Sequence, residues 1–278
     1  MKPSVVRIGG VELHCVAVGS GTPVVFVHGG LADYRYWQTQ LPAFASRWRA
    51  VSYSRRYAFP NANRPLAPDY SPRTDAADLA GLIELVAGRP AHVVAASIGA
   101  CAALFVAAER PELVRSLVVL EPPMLRWLQE IPGGLAVWRE FKEDVWDAAG
   151  RAFARGDAER GVAAFIDYFL GPGGFERLPA AVRGRIMQNA PELEAQTRST
   201  EKFPMLERER VAALRMPVLM LSGALTRPTH ALVDAELERL LPHARRIVVA
   251  GASHDVWVDR AEVCREATLA FLAEVEAA

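Results

Sequence analysis

Five residues constrain this chain more than any others: Ala95-Ala96-Ser97-Ile98-Gly99. They follow the apolar run His92-Val93-Val94 and open a helix-forming stretch that ends before Pro111. A strand that turns at once into a helix pushes the side chain at the turn out of the sheet. The residues two before and two after it must be small, because the strand and helix backbones nearly touch there. Ala95 and Gly99 meet that demand, with alanine where glycine is commoner. The serine hydroxyl then stands exposed at a helix N-terminus, and the next backbone N–H is free to hold an oxyanion. The competing reading is a serine N-cap on an ordinary helix. The rest of the chain has to decide between them.

Strands and helices alternate through most of the sequence. Val5–Ile8 and Val11–Val18 flank Gly9-Gly10 and read as an antiparallel hairpin. Val24–Val27 is fully apolar and precedes His28-Gly29-Gly30, as expected of a strand buried on both faces of a parallel sheet. A helix is expected over Trp37–Ser46 and a strand over Arg49–Tyr53. Ser71-Pro72 starts a helix running to about Ala87, as cap and first-turn proline. Strands follow at 91–95 and Leu117–Leu120, with a helix over 98–110 between them. Val218–Ser222 and Ile247–Ala250 are the last strands, with helices from about Ala231 to Leu241 and Glu262 to Val275. This order implies right-handed crossovers and helices on both faces of a mostly parallel sheet.

The segment 122–211 breaks the rhythm. It has no convincing strand and holds ten aromatic residues spread from Trp127 to Phe203. We read 1–121 and 212–278 as one α/β core and 122–211 as an inserted helical cap. An insertion after the strand ending at Leu120 lies over the carboxyl ends of the strands, where open α/β sheets bind ligands. A minority of the aromatics is expected to line a pocket and the majority to pack the cap's own core. The segment displays no cluster of cations that would grip an anion, so a small hydrophobic substrate is expected.

Composition excludes several classes. Lys and Arg (32) balance Asp and Glu (32) and form no stripe, so nucleic acid is not an expected partner. No run approaches the roughly 18–20 apolar residues of a membrane span. Met1-Lys2-Pro3-Ser4 lacks the apolar stretch of a signal peptide. Cys15, Cys101 and Cys264 are odd in number and far apart, as befits free thiols in a reducing compartment. A cytoplasmic protein without cofactor or metal is expected; monomer and homodimer both remain open.

With these pieces assembled, the chain resembles the α/β-hydrolase family with a helical cap. Val24–Gly30 is similar to that family's strand and oxyanion loop, Ala95–Gly99 to its nucleophile elbow. Gly251-Ala252-Ser253-His254 is similar to the loop that delivers the catalytic histidine. The resemblance runs from about Val5 to Phe271. It implies Ser97 as nucleophile and His254 as base, because a serine hydroxyl needs a base within hydrogen-bond reach. His230 is the one rival base, and His28 is expected to brace the oxyanion loop. The family's commonest acid position, in Ser222-Gly223-Ala224-Leu225-Thr226-Arg227-Pro228, carries no carboxylate here. The family's second placement falls on Glu121, which is expected to orient His254 and fix its tautomer. The competing role for Glu121 is tying down the cap entrance. Asp255 and Asp234 are weaker candidates for the acid. The oxyanion donors are expected to be the backbone N–H groups of Ile98 and Gly30. Arg55 and Arg56, where relatives carry an acid and glycines, are expected to brace a loop.

Serine rather than aspartate at the elbow argues against epoxide opening and dehalogenation. It favours acyl transfer to water, on carboxylic esters or lactones. The same residues also serve carbon–carbon cleavage, a lyase step or cofactor-free oxygenation. A non-catalytic receptor for a small ligand is the third reading.

Overall fold

The computed structural model describes residues 2–64 and 66–278; Met1 of the N-terminal segment lies outside them. β1 (Ser4–Ile8) and β2 (Val11–Val18) form an antiparallel hairpin. Its two-residue turn needs positive φ twice, and Gly9 (+54°) and Gly10 (+84°) supply it. β2 pairs antiparallel with β4 (Arg49–Tyr53). From there the sheet is parallel: β4 beside β3 (Pro23–Val27), then β5 (Ala91–Ala96), β6 (Val114–Leu120), β7 (Val218–Gly223) and β8 (Arg245–Val249).

The apolar runs are buried on both faces, and alternate residues enter different cores. Val93 and Ala95 of β5 join a large cluster with α2 (Pro72–Leu82), α3 (Ile98–Glu109) and the helices that follow β6. Val94 and Ala96 face the other way, toward α1 (Leu41–Ala45) and the long C-terminal helix Ala261–Ala277. This period of two on a strand with no polar face is the signature of a sheet sandwiched by helices.

Between β6 and β7 the described chain is helical: α4 (Gly134–Glu140), α5 (Asp147–Ala154), α6 (Ala158–Leu170), α7 (Gly174–Arg177), α8 (Ala180–Met187), α9 (Ala190–Arg198) and α10 (Arg208–Ala212). Its base is tied by Trp127, whose Nε1–H donates to the Leu206 carbonyl at 2.8 Å. Trp127, Phe141 and Leu193 share one continuous hydrophobic cluster with Val93 and Leu117 of the sheet. The chain ends with α11 (Pro228–Leu240), α12 (Val256–Asp259) and α13 (Ala261–Ala277). Among the described residues no helix is long and apolar enough to cross a membrane. The three cysteines are buried and unpaired.

Two expectations need correction. The helix expected over Trp37–Ser46 is split into a 3₁₀ turn, Tyr34–Trp37, and α1. Asp33 caps the first piece, and Pro42, which has no N–H to donate, starts the second. β6 begins three residues before the expected Leu117, because Val114 already pairs with Ala91.

Candidate active site

Three non-glycine residues among those described have positive φ: Leu31 (55°), Ser97 (50°) and Glu121 (46°). Each follows the carboxyl end of a parallel strand, β3, β5 or β6. Such strained positions persist only where surrounding structure enforces them, and they gather at functional sites. At Ser97 the enforcement is visible. Its N–H donates to the Leu120 carbonyl (2.7 Å), and its carbonyl accepts from Ala100 N–H (2.8 Å) as α3 begins. A Cβ at Gly99 would lie 2.4 Å from the His28 carbonyl, so glycine is required there. The elbow deduced from small residues is therefore a close backbone crossing between α3 and the end of β3.

Ala96 and Leu120 are register partners on β5 and β6, so Ser97 and Glu121 emerge side by side. His254 arrives from the loop after β8. That loop is pinned by Ser253, whose N–H and hydroxyl both donate to Asp259 Oδ2 (2.7 and 2.6 Å). It also packs against Gly223 at the end of β7, where a Cβ would lie 2.1 Å from the Ser253 carbonyl.

These placements bring the three residues into one chain of hydrogen bonds. His254 Nδ1 lies 2.7 Å from Glu121 Oε2, and His254 Nε2 lies 3.0 Å from Ser97 Oγ. A carboxylate only accepts, so the neutral ring carries its proton on Nδ1 and presents a lone pair to Ser97. Glu121 is 1 % exposed, and a buried carboxylate needs partners. Besides His254 it accepts from Gly223 N–H (2.7 Å) and from the Thr226 hydroxyl (2.6 Å). The loop that lacks an acid thus supplies two donors to the carboxylate just after β6. Thr226 and Gly223 were not singled out in the sequence, although the loop holding them was.

The weaker acids are occupied elsewhere. Asp255 accepts from the Tyr36 hydroxyl (2.5 Å), and Asp234 accepts from Ser222 Oγ (2.5 Å). Burial pushes Asp234 up to about 7. His14, His92 and His243 bond to Asn61, Ser116 and the Met216 carbonyl, away from the site. His230 is close, with its ring centroid 4.1 Å from that of His254, but its Nδ1 is engaged with Thr229 Oγ1 at 3.1 Å. Burial and the neighbouring His254 hold it far below the usual histidine range, so it is neutral. Phe169 stacks on His254 with centroids 4.5 Å apart and ring planes 17° apart. Glu121, His230 and His254 place one ligand atom each within 4.8 Å of one another. A cation there would have to compete with the donors already on Glu121.

The loop after β3 is braced from behind. His28 Nδ1–H donates to the Gly29 carbonyl (2.8 Å), and its Nε2 accepts from Arg55 N–H (2.9 Å). Burial, with help from Arg55, pulls its pKa down to about 3, so it remains neutral. Arg55 is fully buried and donates to the carbonyls of His28 (3.1 Å) and Gly29 (3.0 Å). It also pairs with Asp75 on α2 and with Glu192 on α9. In a trans peptide the N–H points opposite to the carbonyl. With the Gly29 carbonyl on Arg55, the Gly30 N–H is turned to the other side, and Gly30 lines the cavity in front of Ser97. Ile98 N–H, at the first helical position, has no intrahelical acceptor.

Two cavities meet at Ser97. The inner one, about 50 Å³, is walled by Met124, Phe141, Trp146 and Phe203. The outer one, about 420 Å³, is walled by Ile166, Leu178 and Ile186 and includes His254. Of the ten aromatics of the inserted segment, five (Phe141, Trp146, Phe165, Phe169, Phe203) line these spaces, more than the minority expected. Arg126 and Lys202, far apart in sequence, both line the inner cavity.

A family model described as alpha/beta hydrolase fold matches residues 22–261, and the chain belongs to that family. A 2-hydroxy-6-oxo-2,4-heptadienoate hydrolase from Pseudomonas putida is 33% identical over 137 residues, 48% of this chain and 49% of that protein. The chain thus spans about half the length of that curated relative. A 2-(acetamidomethylene)succinate hydrolase from Mesorhizobium japonicum is 24% identical over 96% of this chain and 94% of its own. Among solved structures, the enol-lactonase from Burkholderia xenovorans LB400 superposes with a TM-score of 0.77 at 18% identity, covering 97% of this chain and 100% of that one. That likeness is one of fold.

Proposed function

We propose that this protein is a serine hydrolase that cleaves carboxylic esters or lactones through an acyl-enzyme intermediate. The observation that carries the reading is the unbroken relay Glu121–His254–Ser97, at 2.7 and 3.0 Å, opening onto a largely apolar space. Ser97 Oγ attacks the carbonyl while His254 Nε2 takes its proton. Glu121 stabilises the imidazolium that results. The oxyanion is held by the N–H groups of Ile98 and Gly30, each such donor contributing about 2.7–4 kcal/mol. His254 then returns the proton to the leaving oxygen, and a water repeats the sequence to release the acid. The helical segment over the site serves as a cap that limits water.

The leaving group must depart beside His254, which lines only the outer cavity. The acyl group therefore occupies the inner one. At about 10–15 Å³ per water-sized probe, about 50 Å³ admits a short chain. The three unpaired thiols support a reducing, cytoplasmic setting. The test pairs a fluorophosphonate probe with p-nitrophenyl esters of increasing acyl length. Labelling and turnover should both vanish in Ser97→Ala, with the unfolding midpoint within about 2 °C of wild type. Full turnover by the folded alanine variant would end this reading.

A second reading keeps the relay and changes the bond. The Pseudomonas putida relative is named a 2-hydroxy-6-oxo-2,4-heptadienoate hydrolase, a name that specifies no ester or lactone, and the same nucleophile and base would serve carbon–carbon cleavage of a vinylogous diketone. Faster turnover of such a diketone than of any ester or lactone would favour it.

A further inference from the structure

The two cavities carry opposite formal charge. Among the described residues lining the inner one there are two cations, Arg126 and Lys202, and no carboxylate. The outer one is lined by Asp255 and Asp259 and by no Lys or Arg. The outer acids already accept hydrogen bonds, from Tyr36 and from Ser253. The inner cations lack such partners: neither Arg126 nor Lys202 has an ion pair or hydrogen bond to a described residue. Elsewhere this chain pairs its cations freely, as with Arg35–Asp33, Arg56–Asp78 and Arg208–Glu130. The same wall holds a third unmet donor. Trp146 is 4 % exposed, and its buried indole N–H has no hydrogen-bond partner. Leaving a buried donor unpaired carries a desolvation cost, so its persistence calls for an acceptor.

We propose that the inner cavity binds an acyl chain ending in a carboxylate, so that the substrate is an ester or lactone of a dicarboxylic acid. This rests on the acyl-transfer reading for the direction of the acyl group. The apolar wall between Ser97 and the two cations takes the methylenes. Arg126 and Lys202 take the distal carboxylate, and the Trp146 N–H supplies a further donor toward it. A charged acyl end replaces the plain hydrophobic one expected from sequence. The opposite sign of the outer cavity disfavours the reversed orientation, in which the carboxylate would face Asp255 and Asp259.

Binding separates this proposal from the hydrolase reading. Titration calorimetry on Ser97→Ala, which cannot turn over, compares dicarboxylates from succinate to suberate with monocarboxylates of equal length. The best dicarboxylate should bind about tenfold tighter than its monocarboxylate. That ratio should fall toward one in Ser97→Ala/Arg126→Gln/Lys202→Gln, whose added changes lie at exposed positions. Trp146→Phe should weaken the dicarboxylate more than the monocarboxylate. Equal binding of the two series at every length, or no binding of any dicarboxylate, overturns the proposal. With wild type, the ratio of kcat/KM for p-nitrophenyl hemiesters over neutral esters should follow the same order. Loss of all ester turnover alongside intact dicarboxylate selectivity would sink the hydrolase reading and leave the anion site standing.

Discussion

His254 and Glu121 lie 133 residues apart in the chain, yet His254 Nδ1 sits 2.7 Å from a carboxylate oxygen of Glu121. The same carboxylate is held by Gly223 and Thr226, from the loop after β7. Glu121 and the loop after β7 therefore meet at one point, the first contributing charge and the second donors. Glu121→Gln should fold and lose roughly 10⁴-fold in kcat, because an amide neither stabilises the imidazolium nor enforces the Nδ1–H tautomer. Thr226 Oγ1 is 2.6 Å from the same oxygen, so Thr226→Asp in a Glu121→Ala background should recover about tenfold or more of the lost rate. Steady-state kinetics on the single and double variants checks this. No recovery, with Asp255→Asn as damaging as Glu121→Gln, would move the acid elsewhere.

Gly99 is the position where α3 touches the end of β3. A Cβ there would meet the His28 carbonyl at 2.4 Å and Val27 Cγ1 at 2.9 Å. Backbone has to move, so Gly99→Ala should destabilise by about 1–3 kcal/mol. The displaced segment carries His28 and Gly29, so kcat should fall in the molecules that remain folded. Urea unfolding, together with activity below the transition, measures both. Wild-type stability in this variant would contradict the crossing described above.

The fully buried Arg55 joins the loop after β3, α2 and α9. Arg55→Met leaves Asp75 and Glu192 without their counter-charge, and breaking a buried pair from one side costs about 3–5 kcal/mol. It also frees the His28 and Gly29 carbonyls. A triple variant, Arg55→Met/Asp75→Asn/Glu192→Gln, should regain much of the stability but not the rate, since the loop remains unbraced. Recovery of both would reduce Arg55 to a purely structural residue.

Asp234 offers a test by pH. Burial raises its pKa from 3.8 to about 7 in the folded chain. The folded state then binds the proton more tightly than the unfolded one. That contribution to stability is complete below the unfolded pKa and is lost as pH rises toward about 7. Wild type should lose stability across this window, on the order of a few kcal/mol at most. Asp234→Asn should flatten the profile and retain most of the activity, because the side chain bonds to Ser222 and not to His254. Thermal melts from pH 4 to 8 check the slope, and a variant profile that parallels wild type would refute the assignment.

Much of this molecule was legible in the chain because it depends on local rules. Runs such as Val24–Val27 and Val218–Ser222 can only be buried on both faces, and that requires a parallel sheet covered by helices. Small residues around Ser97 mark a tight strand-to-helix turn, since sterics there act over a few bonds. Pro72, Pro111 and Gly9-Gly10 punctuate elements through their own backbone preferences. The pairing of Glu121 with His254 was also readable, because one loop lacked a carboxylate and the end of one apolar strand had one.

What the chain alone left open depends on distance through space. Ser97, Glu121 and His254 acquire their 2.7 and 3.0 Å contacts only because β5, β6 and the loop after β8 end at one edge of the sheet. Thr226 and Gly223 become donors to Glu121 only by strand order, which no local propensity encodes. The 3₁₀ break before Pro42 arose where a cap on Asp33 overrode helical periodicity. Arg126 and Lys202 look scattered in sequence and share one cavity because the helical insertion folds back over Ser97. Backbone preference and hydrophobic period are properties of neighbours along the chain. Electrostatic and hydrogen-bonding partners are neighbours in space, and tertiary packing alone chose them.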